Sequence, residues 1–599
     1  MNLVAFLMRI LALSLIRLGL VTLIFHNVSF GQYDVYDAFD PENPLPESDL
    51  IILNNAKAFH HSLTPESALL LSQLSFLSHE EHYALEQTLQ GDLHNLDQYP
   101  RLNMLLNELW TGRREINIHG SFIHRINRTD GIQHKWIGDF QFDQFRIGIL
   151  GERDPGELDI LDHYSMFLNT KYKDYDYTIG NFQMLVGHGL VSWRSMPVKS
   201  DFGTTNSILR RGRGIQPFRS GHESWAYRGL GWEQPMGHGQ LAAGISHRKI
   251  DGSIEDNHVN ISNIGLHVSE NQIKNRDNIL ETIGVADWET IIPNGIVGFV
   301  VGGGAWRQDH TDSYFTNLTS SVYGNYTISN LTLFSELAFT SQNKNAIIMG
   351  GKIKHDSFYY GIVFREIDNN YFALRDNVFR NWNNKELGET GVLQELRFRY
   401  DKINVNVYSD IFRRLEKLKG EFTRDGHETG ISLDQKFNSK LWIQTKLKIQ
   451  EASSESYGYN DNNFSSVPIS TIKTTIKWKH DINNSFQCQL QEKHIQNDSP
   501  SSWGIQLRSK HYLGLWTVKW YWVTTKIEGL SWLYYWDVNL PGEMKSKVFT
   551  RHGHYLGNIL SYQTSPSTEI HFRISTAWRA WNFDEIPVVR GALQINVSI

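Results

Sequence analysis

Several short segments carry side chains whose types could do chemistry, and the first is His79-Glu80-Glu81-His82. Imidazoles and carboxylates are ligands that zinc takes in enzymes. The His-Glu-x-x-His motif needs its histidines at i and i+4 of one helix face, whereas these two are three residues apart with no third ligand in view. The segment is interpreted as a solvated helix start, and no metal site is predicted.

Two glycine-rich segments invite comparison with catalytic loops. Gly187–Gly189 (Gly-His-Gly) lacks the Gly-x-Ser-x-Gly core of a nucleophile elbow, and no P-loop Lys-Ser/Thr pair follows Val301–Gly304. Glycines at such positions let a strand bend or let a loop approach closely. The sequence therefore predicts no catalytic residue and no cofactor, although a triad can form between residues far apart in a chain.

A basic cluster between residues 210 and 228 is the sharpest candidate site. If it faces a pore, its guanidinium groups would form a constriction that binds or selects anionic solutes. In the alternative interpretation, which we favour, Glu223 pairs with one or two arginines and pins an inward-folded segment, because charges in a lumen need partners regardless of transport. The cluster consists of Arg210, Arg211, Arg213, Arg219, Glu223 and Arg228.

The elements that must position these residues are strands, since apolar and polar residues alternate with a period of two along much of the chain. From 590 to 599, apolar residues alternate with polar ones up to the last residue. The segments 396–400 and 403–407 alternate on either side of Asp401-Lys402, which predicts a hairpin. We expect the last strand to close a barrel against a strand near Ile116.

Composition favours a transmembrane barrel over other classes. The 599 residues include 18 Trp, 25 Tyr and 31 Phe, yet the mean hydropathy is −0.39. That mixture suits an apolar lipid-facing side, aromatic girdles and a polar lumen. After the N-terminus we find no apolar run of about 20 residues, the length of a membrane helix. Residues 111–599 are predicted to form a large, mainly β, antiparallel barrel of about 16 to 20 strands.

The single cysteine, Cys488, lies on the apolar side of one alternating strand. We interpret it as a small lipid-facing residue rather than a reactive thiol. With one cysteine, an intramolecular disulfide is excluded.

Residues 1–31 have the pattern of a secretory signal peptide, with Arg9 and Arg17 near apolar stretches and a small-residue cleavage site at Gly31. Residues 32–110 differ from the rest in charge, because thirteen Asp and Glu face two basic residues, a net charge of −11. Their leucines recur at helical spacing, which predicts a small all-α domain at 32–110.

Two sets of residues are similar to a family of exported Bacteroidetes-type proteins in which a helix-hairpin-helix segment precedes a large outer-membrane β-barrel. The resemblance covers about residues 50–248 and implies the same order of parts, with glycines that belong to the family's motifs. In the acidic segment it rests on Leu53-Asn54-Asn55-Ala56, 71–78 (Leu-Ser-Gln-Leu-Ser-Phe-Leu-Ser) and Gly91-Asp92-Leu93. In the barrel it rests on Gly180–Gln183, Gly187–Leu190, Trp193, Arg210-Arg211, Gly214–Pro217, Ser220, Glu223 and Tyr227–Gly229, whose motif glycines are Gly180, Gly187, Gly189, Gly214 and Gly229.

The acidic segment departs from DNA-binding helix-hairpin-helix motifs. Those motifs hold a phosphate on the backbone N–H groups of a glycine-rich hairpin. Here the turn is Ser75-Phe76-Leu77-Ser78, without glycine, and the net charge of −11 opposes a polyanion. A periplasmic protein partner, or a plug-like role, is therefore the better prediction than DNA.

Taken together, the sequence predicts a non-enzymatic protein of the outer membrane, surrounded by lipid, that acts as a channel or uptake component for an unspecified solute. One alternative is a DNA-handling or assembly component acting through the helix-hairpin-helix segment. Another is an outer-membrane hydrolase whose catalytic residues meet only in the fold. Fold analogy does not choose among them.

Overall fold

Antiparallel strands dominate the computed structural model. The predicted signal peptide, 1–31, and almost all of the predicted helical domain, 32–110, lie outside the residues that the structure describes. Described are 71, 74, 85, 117–127, 131–142, 144–154, 163–193, 201–208, 212–222, 225–255, 258–262, 265, 267–309, 311–375, 378–380, 388–415, 425–452, 467–481, 484–495, 498–529, 531–542, 546–565, 568–578 and 587–598.

Twenty-four strands pair side by side into one antiparallel sheet that closes on itself. They are β1 (Asn117–Asn127), β2 (Gly131–Phe142), β3 (Phe145–Arg153), β4 (His163–Tyr172), β5 (Tyr175–Leu185), β7 (Tyr227–Met236), β8 (Gly239–Ile250), β11 (Ile279–Ile292), β12 (Gly295–Gln308), β13 (Tyr314–Ile328), β14 (Leu331–Thr340), β15 (Asn345–His355), β16 (Phe358–Ile367), β17 (Glu389–Tyr400), β18 (Ile403–Arg414), β19 (Asp425–Lys436), β20 (Leu441–Ala452), β21 (Val467–Lys479), β22 (Asn484–Ile495), β23 (Asp498–Leu513), β24 (Trp516–Lys526), β27 (Gly553–Ser565), β28 (Thr568–Trp578) and β29 (Val588–Ser598).

The remaining described elements lie in connections between these strands. The short strand β6 (Gly214–Pro217) pairs with the end of β5, while β9 (Gly252–Glu255) with β10 (His258–Ile261) and β25 (Leu533–Trp536) with β26 (Ser546–Phe549) form two separate hairpins. Two helices, α1 (Thr204–Ile208) and α2 (Glu270–Asn275), complete the set. Within the described residues, no helix is both long and apolar enough to cross a membrane.

The closing seam confirms the expectation from the C-terminal alternation. Strand β29 pairs with β1 from His119 opposite Ser598 to Asn127 opposite Arg590. The predicted hairpin around Asp401-Lys402 is also confirmed, as β17 and β18. The predicted 16 to 20 strands were too few, because many connections take two residues and leave more of the chain for strands.

The two ends of the barrel differ in their connections. At the end that holds Asn117 and Ser598, turns as short as Lys173-Asp174 and Asp401-Lys402 join the strands. Lys173 and Asp401 have φ values of 55° and 47°, the left-handed conformation that two-residue hairpins need. We call this the turn end, and the opposite end, with far longer connections such as 186–226, the loop end.

Side chains on the outside of the barrel are apolar and exposed, whereas those on the inside are buried and often charged. In β14, Leu337 points outward and is 37% exposed, while the neighbouring Glu336 points inward and is 0% exposed. This is the reverse of a soluble protein and matches a strand that separates lipid from a polar interior.

Three connections from the loop end fold back into the barrel and fill much of it. The first infolded segment follows β5 (186–193, 201–208 and 212–222), the second follows β16 (368–375 and 378–380), and the third follows β24 (527–529, 531–542 and 546–552). Apolar side chains of the first two share one core with β5–β18, and those of the third form a second core with β24, β27 and β29.

Candidate functional site in the filled interior of the barrel

The first infolded segment reaches deep into the barrel at Gly187-His188-Gly189. The carboxylate of Glu336, on β14, accepts hydrogen bonds from the backbone N–H of His188 at 2.6 Å and of Leu190 at 3.3 Å. The His188 imidazole lies 3.4 Å from the carbonyl oxygen of Gly324, four residues from the turn end of β13. A buried carboxylate thus fixes this loop by charge-assisted hydrogen bonds.

Glycine is required where the loop meets that carboxylate. Gly187 has a φ of +57°, and a Cβ there would lie 2.8 Å from Oε1 of Glu336. The same arrangement recurs at Gly214, whose φ is +60° and whose Cβ would clash with Glu233 on β7. Glu233 accepts a hydrogen bond from the N–H of Ile215. At both positions a glycine lets the loop backbone approach an inward carboxylate closely.

Helix α1 of the same segment is anchored on β17. The Glu395 carboxylate accepts hydrogen bonds from the N–H groups of Gly203 at 2.7 Å and Thr205 at 3.4 Å, and from the Thr205 hydroxyl. The Tyr359 hydroxyl, on β16, adds a bond of 2.7 Å to the Thr205 hydroxyl. Like Glu336 and Glu233, Glu395 is an inward carboxylate that pairs with loop backbone.

The second infolded segment ties the first to the wall. Ser192 and Arg375 form a parallel bridge, with the Trp193 N–H donating to the Arg375 carbonyl oxygen at 2.8 Å. The Arg375 guanidinium donates to the Glu281 carboxylate, on β11, at 2.5 and 2.7 Å. Arg248, on β8, donates to the same carboxylate at 3.2 Å. These groups are at most 7% exposed, so the two segments form one buried unit with β8 and β11.

A second buried network lies beside the end of this unit. Arg365, on β16, contacts the carboxylates of Glu389 at 2.6 Å and Asp410 at 2.8 Å. Its guanidinium carbon lies 4.3 Å from the ring centroid of Phe379, in the second infolded segment. Because Arg365 is 0% exposed, the two carboxylates compensate the burial of its charge.

The third infolded segment has its own anchors on the other side of the barrel. The Asp537 carboxylate accepts hydrogen bonds from the Tyr555 hydroxyl at 3.1 Å and from Arg573 at 2.5 Å. The Gln594 amide, on the closing strand β29, donates to the Pro541 carbonyl oxygen at 3.2 Å. Burial lowers the pKa of Lys547 in this segment to about 7, although nearby Asp537 favours its charged form.

Strands β20–β24 run from beside the first infolded segment to beneath the third, and they present a basic inner surface. Residues directly opposite across an antiparallel sheet share a face, so the inward face can be followed from strand to strand. On it, apart from the exposed Lys479 at the turn end, the basic side chains are Lys446, Lys448, Lys473, Lys477, Lys493, Arg508, Lys510 and Lys519, which we call the basic wall.

The basic wall differs from the rest of the interior in exposure. Charged inward groups that anchor the first two segments, such as Glu281, Glu336 and Arg365, are 0% exposed. By contrast, Lys448 is 35% exposed although it pairs with Glu428 on β19 at 2.8 Å. The other members of the basic wall are likewise neither buried nor fully exposed. The open part of the interior therefore adjoins these strands.

The structure separates the described members of the predicted arginine cluster. Arg219 donates to the Gly138 carbonyl oxygen at 2.8 Å and contacts Asp139 of β2 at 3.1 Å. Burial lowers the pKa of Arg219, and Asp139 opposes this shift. Arg228 instead donates to the carbonyl oxygen of Tyr164, an exposed side chain on the outer face of β4.

Other predicted residues fall in several places. Arg213 is half-buried where the first infolded segment returns to β5, its N–H donating to the Leu185 carbonyl oxygen at 2.7 Å. Gly180 and Gly229 lie opposite each other in β5 and β7. Outside the described residues lie Arg210, Arg211, Glu223, His79, Glu80, Glu81 and His82.

Two minor predictions concern strands. Cys488 lies opposite Leu507 on the outer face of β22, as expected for a lipid-facing residue. Val301–Gly304 is part of the regular strand β12. Among the described residues, no group of three or more His, Cys, Asp or Glu is placed to hold a metal ion.

Sequence reasoning missed the anchoring carboxylates and the basic wall. The alternation that reveals part of the wall is nevertheless visible, because Lys446 and Lys448 fall on the polar side of an alternating segment. Glu336 and Glu395 carry no comparable signal, since an inward carboxylate looks the same in sequence whether it meets water or a loop.

Comparison with known proteins gives no family, because no family model and no curated protein matches the chain. Its similarity to solved structures is distant. The siderophore receptor PirA from Pseudomonas aeruginosa shares 8% identity at a TM-score of 0.41, over 81% of this chain and 80% of that one. The P pilus usher PapC translocation pore (10% identity, TM-score 0.35) and Acinetobacter baumannii OccAB3 (9%, 0.31) each match over 81% of this chain, and over 99% and 98% of their own chains.

Proposed function

We propose that this protein is a transport component of the outer membrane, a barrel whose pore is closed by its own infolded connections. The outward apolar side chains, such as Leu337, and the closed seam between β1 and β29 support a membrane location. No backbone edge is left at the seam, so the strands can face lipid.

The observation that carries the proposal is the filling of the interior from the loop end. The first infolded segment contacts Asp139 on β2 through Arg219 and Glu395 on β17 through α1, on distant parts of the wall. A barrel that transports nothing would not need loops anchored inside its lumen. Connections that occupy a lumen are the usual means of limiting passage through large barrels.

The sidedness follows from the connections. Outer-membrane barrels place short turns in the periplasm and long loops outside. The turn end, which holds Asn117, is then periplasmic, and the acidic segment 32–110 would precede the barrel on that side. The proposal includes a signal peptide at 1–31 and an interaction of the acidic segment with a periplasmic protein. We assign no enzymatic activity.

Planar-bilayer recording of the purified protein tests the proposal. A variant in which residues 529–550 are replaced by a short Gly-Ser linker should conduct far more than the wild type, because the third infolded segment no longer fills the lumen. Shortening the polar connection 453–466 is the matched control and should leave conductance unchanged.

Heat-modifiable migration in gels establishes that each variant forms a folded barrel. If the folded linker variant conducts no more than the wild type at any voltage, the proposed transport function is overturned.

A further inference from the structure

The basic wall forms a ladder along the barrel axis. Lys448 and Lys493 lie opposite the same residue, Thr471, and form the rung nearest the loop end. Two residues further toward the turn end, Lys446 lies directly opposite Lys473. Successive inward positions are about 7 Å apart along a strand.

The ladder continues to the turn end. A neutral rung contains Gln444, Thr475 and Gln489. The next has Lys477 and Arg508, both opposite Gln487. In the last, Lys510 lies directly opposite Lys519. Positive charge therefore recurs on four of these five rungs, which together span about 26 Å measured along the strands.

Two acidic groups border the ladder on one side. Glu428 pairs with Lys448 at 2.8 Å, and Asp434 accepts a hydrogen bond from Gln444; both carboxylates lie on the neighbouring strand β19. Within the inward positions of 442–450, 471–479, 487–493, 502–512 and 517–525, all charged side chains are basic.

Such a surface is costly unless it is hydrated or meets anions. Like charges directly opposite in a sheet repel, as at Lys446 with Lys473 and at Lys510 with Lys519. Rings of lysine and arginine are the means by which pores favour anions. The ladder is partly exposed, and its Arg508 donates to the carbonyl oxygen of Asp537 in the third infolded segment at 3.2 Å. A solute would pass along the ladder once that segment moves.

We propose that the basic wall is the solute-facing surface of the conduit and that it binds small organic anions carrying several negative charges. This inference rests on the proposed function and names its solute class. A monovalent ion would engage one lysine at a time, whereas a multivalent anion spans neighbouring rungs. Interleaved glutamines, such as Gln444 and Gln491, offer amide donors to carboxylate or phosphate oxygens without adding charge.

Binding is tested on the full-length protein in detergent with calcein, a fluorescent polyanion, by fluorescence anisotropy. The variant Lys446→Gln/Lys473→Gln/Lys493→Gln should bind calcein more weakly, by on the order of tenfold, since it removes three charges from adjacent strands. Lys274→Gln/Lys402→Gln/Lys440→Gln removes the same charge from exposed sites in connections and should bind like the wild type. A cationic rhodamine dye should not bind.

The outcomes separate this inference from the proposed function. Equal calcein affinity in the two triple variants overturns the basic wall as the binding surface, even if the linker variant conducts. Weakened binding in the wall variant alone supports it, even if no conductance is found. In a conducting variant, reversal potentials in a salt gradient should shift from anion toward cation preference when the three wall lysines become glutamate.

Discussion

The carboxylate of Glu395 lies 2.7 Å from the backbone nitrogen of Gly203, although 192 residues separate them in the chain. This contact joins the middle of strand β17 to the start of α1, so the wall of the barrel itself holds the first infolded segment in place. Glu336 and Glu233 hold the same segment in the same way, through loop N–H groups. The docking of the first infolded segment therefore depends on a few carboxylates, each of which a single Glu→Gln substitution would neutralise.

Glu336→Gln should loosen the first infolded segment. The amide keeps the shape but replaces a charged acceptor of the His188 and Leu190 N–H groups, at a cost of about 1–3 kcal/mol to docking. We expect more frequent conducting events in planar bilayers and an unchanged barrel on heat-modifiability gels. The matched control is Glu366→Gln, which changes an exposed side chain near the loop end of β16. Equal conductance in the two variants would contradict an anchoring role.

Gly187→Ala should also favour opening, for a steric reason. The new Cβ would lie 2.8 Å from Oε1 of Glu336 in a left-handed backbone conformation. Gly514→Ala has a similar φ, +65°, with no atom within 4 Å of the Cβ, and so imposes only the backbone cost of about 1–2 kcal/mol. A larger rise in conductance for Gly187→Ala than for Gly514→Ala would show that the close approach matters.

Arg375→Met should destabilise the buried unit formed by the first two segments. It leaves the Glu281 carboxylate, 0% exposed, with Arg248 as its remaining guanidinium partner, and the lost charge-assisted hydrogen bonds cost about 1.5–3 kcal/mol. Combining it with Arg248→Met should cost more in thermal unfolding than the sum of the two single losses, because the buried carboxylate then has neither guanidinium group. Strictly additive losses in the double variant would show that the two side chains are not coupled.

Docking of the third segment should depend on pH through Lys547. Its pKa is about 7 in place and near 10.5 once released, so the released state binds more protons between these values. Raising the pH from 7.5 to 9 therefore favours docking, and the conducting fraction should fall by up to about tenfold per pH unit. Lys547→Met should remove this dependence, whereas Lys440→Met, at an exposed turn, should retain it. A conducting fraction that rises with pH in the wild type would refute the assignment.

Local periodicity accounts for what the sequence predicted well. The hairpin of β17 and β18 and the closing strand β29 could be read directly, because a strand with one face in lipid must alternate along its whole length. The number of strands could not be predicted in this way, because it depends on the length of turns such as Lys173-Asp174.

The filling of the interior was beyond such reasoning because it depends on contacts between residues far apart in the chain. Gly187 gave a partial signal, as a glycine suited to close approach, but nothing in the sequence pairs it with Glu336. Proximity in sequence likewise does not place Arg219 and Arg228. Arg219 lies in the first infolded segment beside Asp139, whereas Arg228 lies on β7 beside the outward-facing Tyr164.

All three infolded segments leave from the loop end and return to it. Each is thus a loop whose two ends are joined to strands at the same rim. Such a loop can move out of the barrel through that rim, but its connections prevent it from passing through the barrel to the other end. A force from the turn end would have to push these segments outward, because none of the three has a free end there to pull. The covalent path alone gives the pore a direction in which it opens.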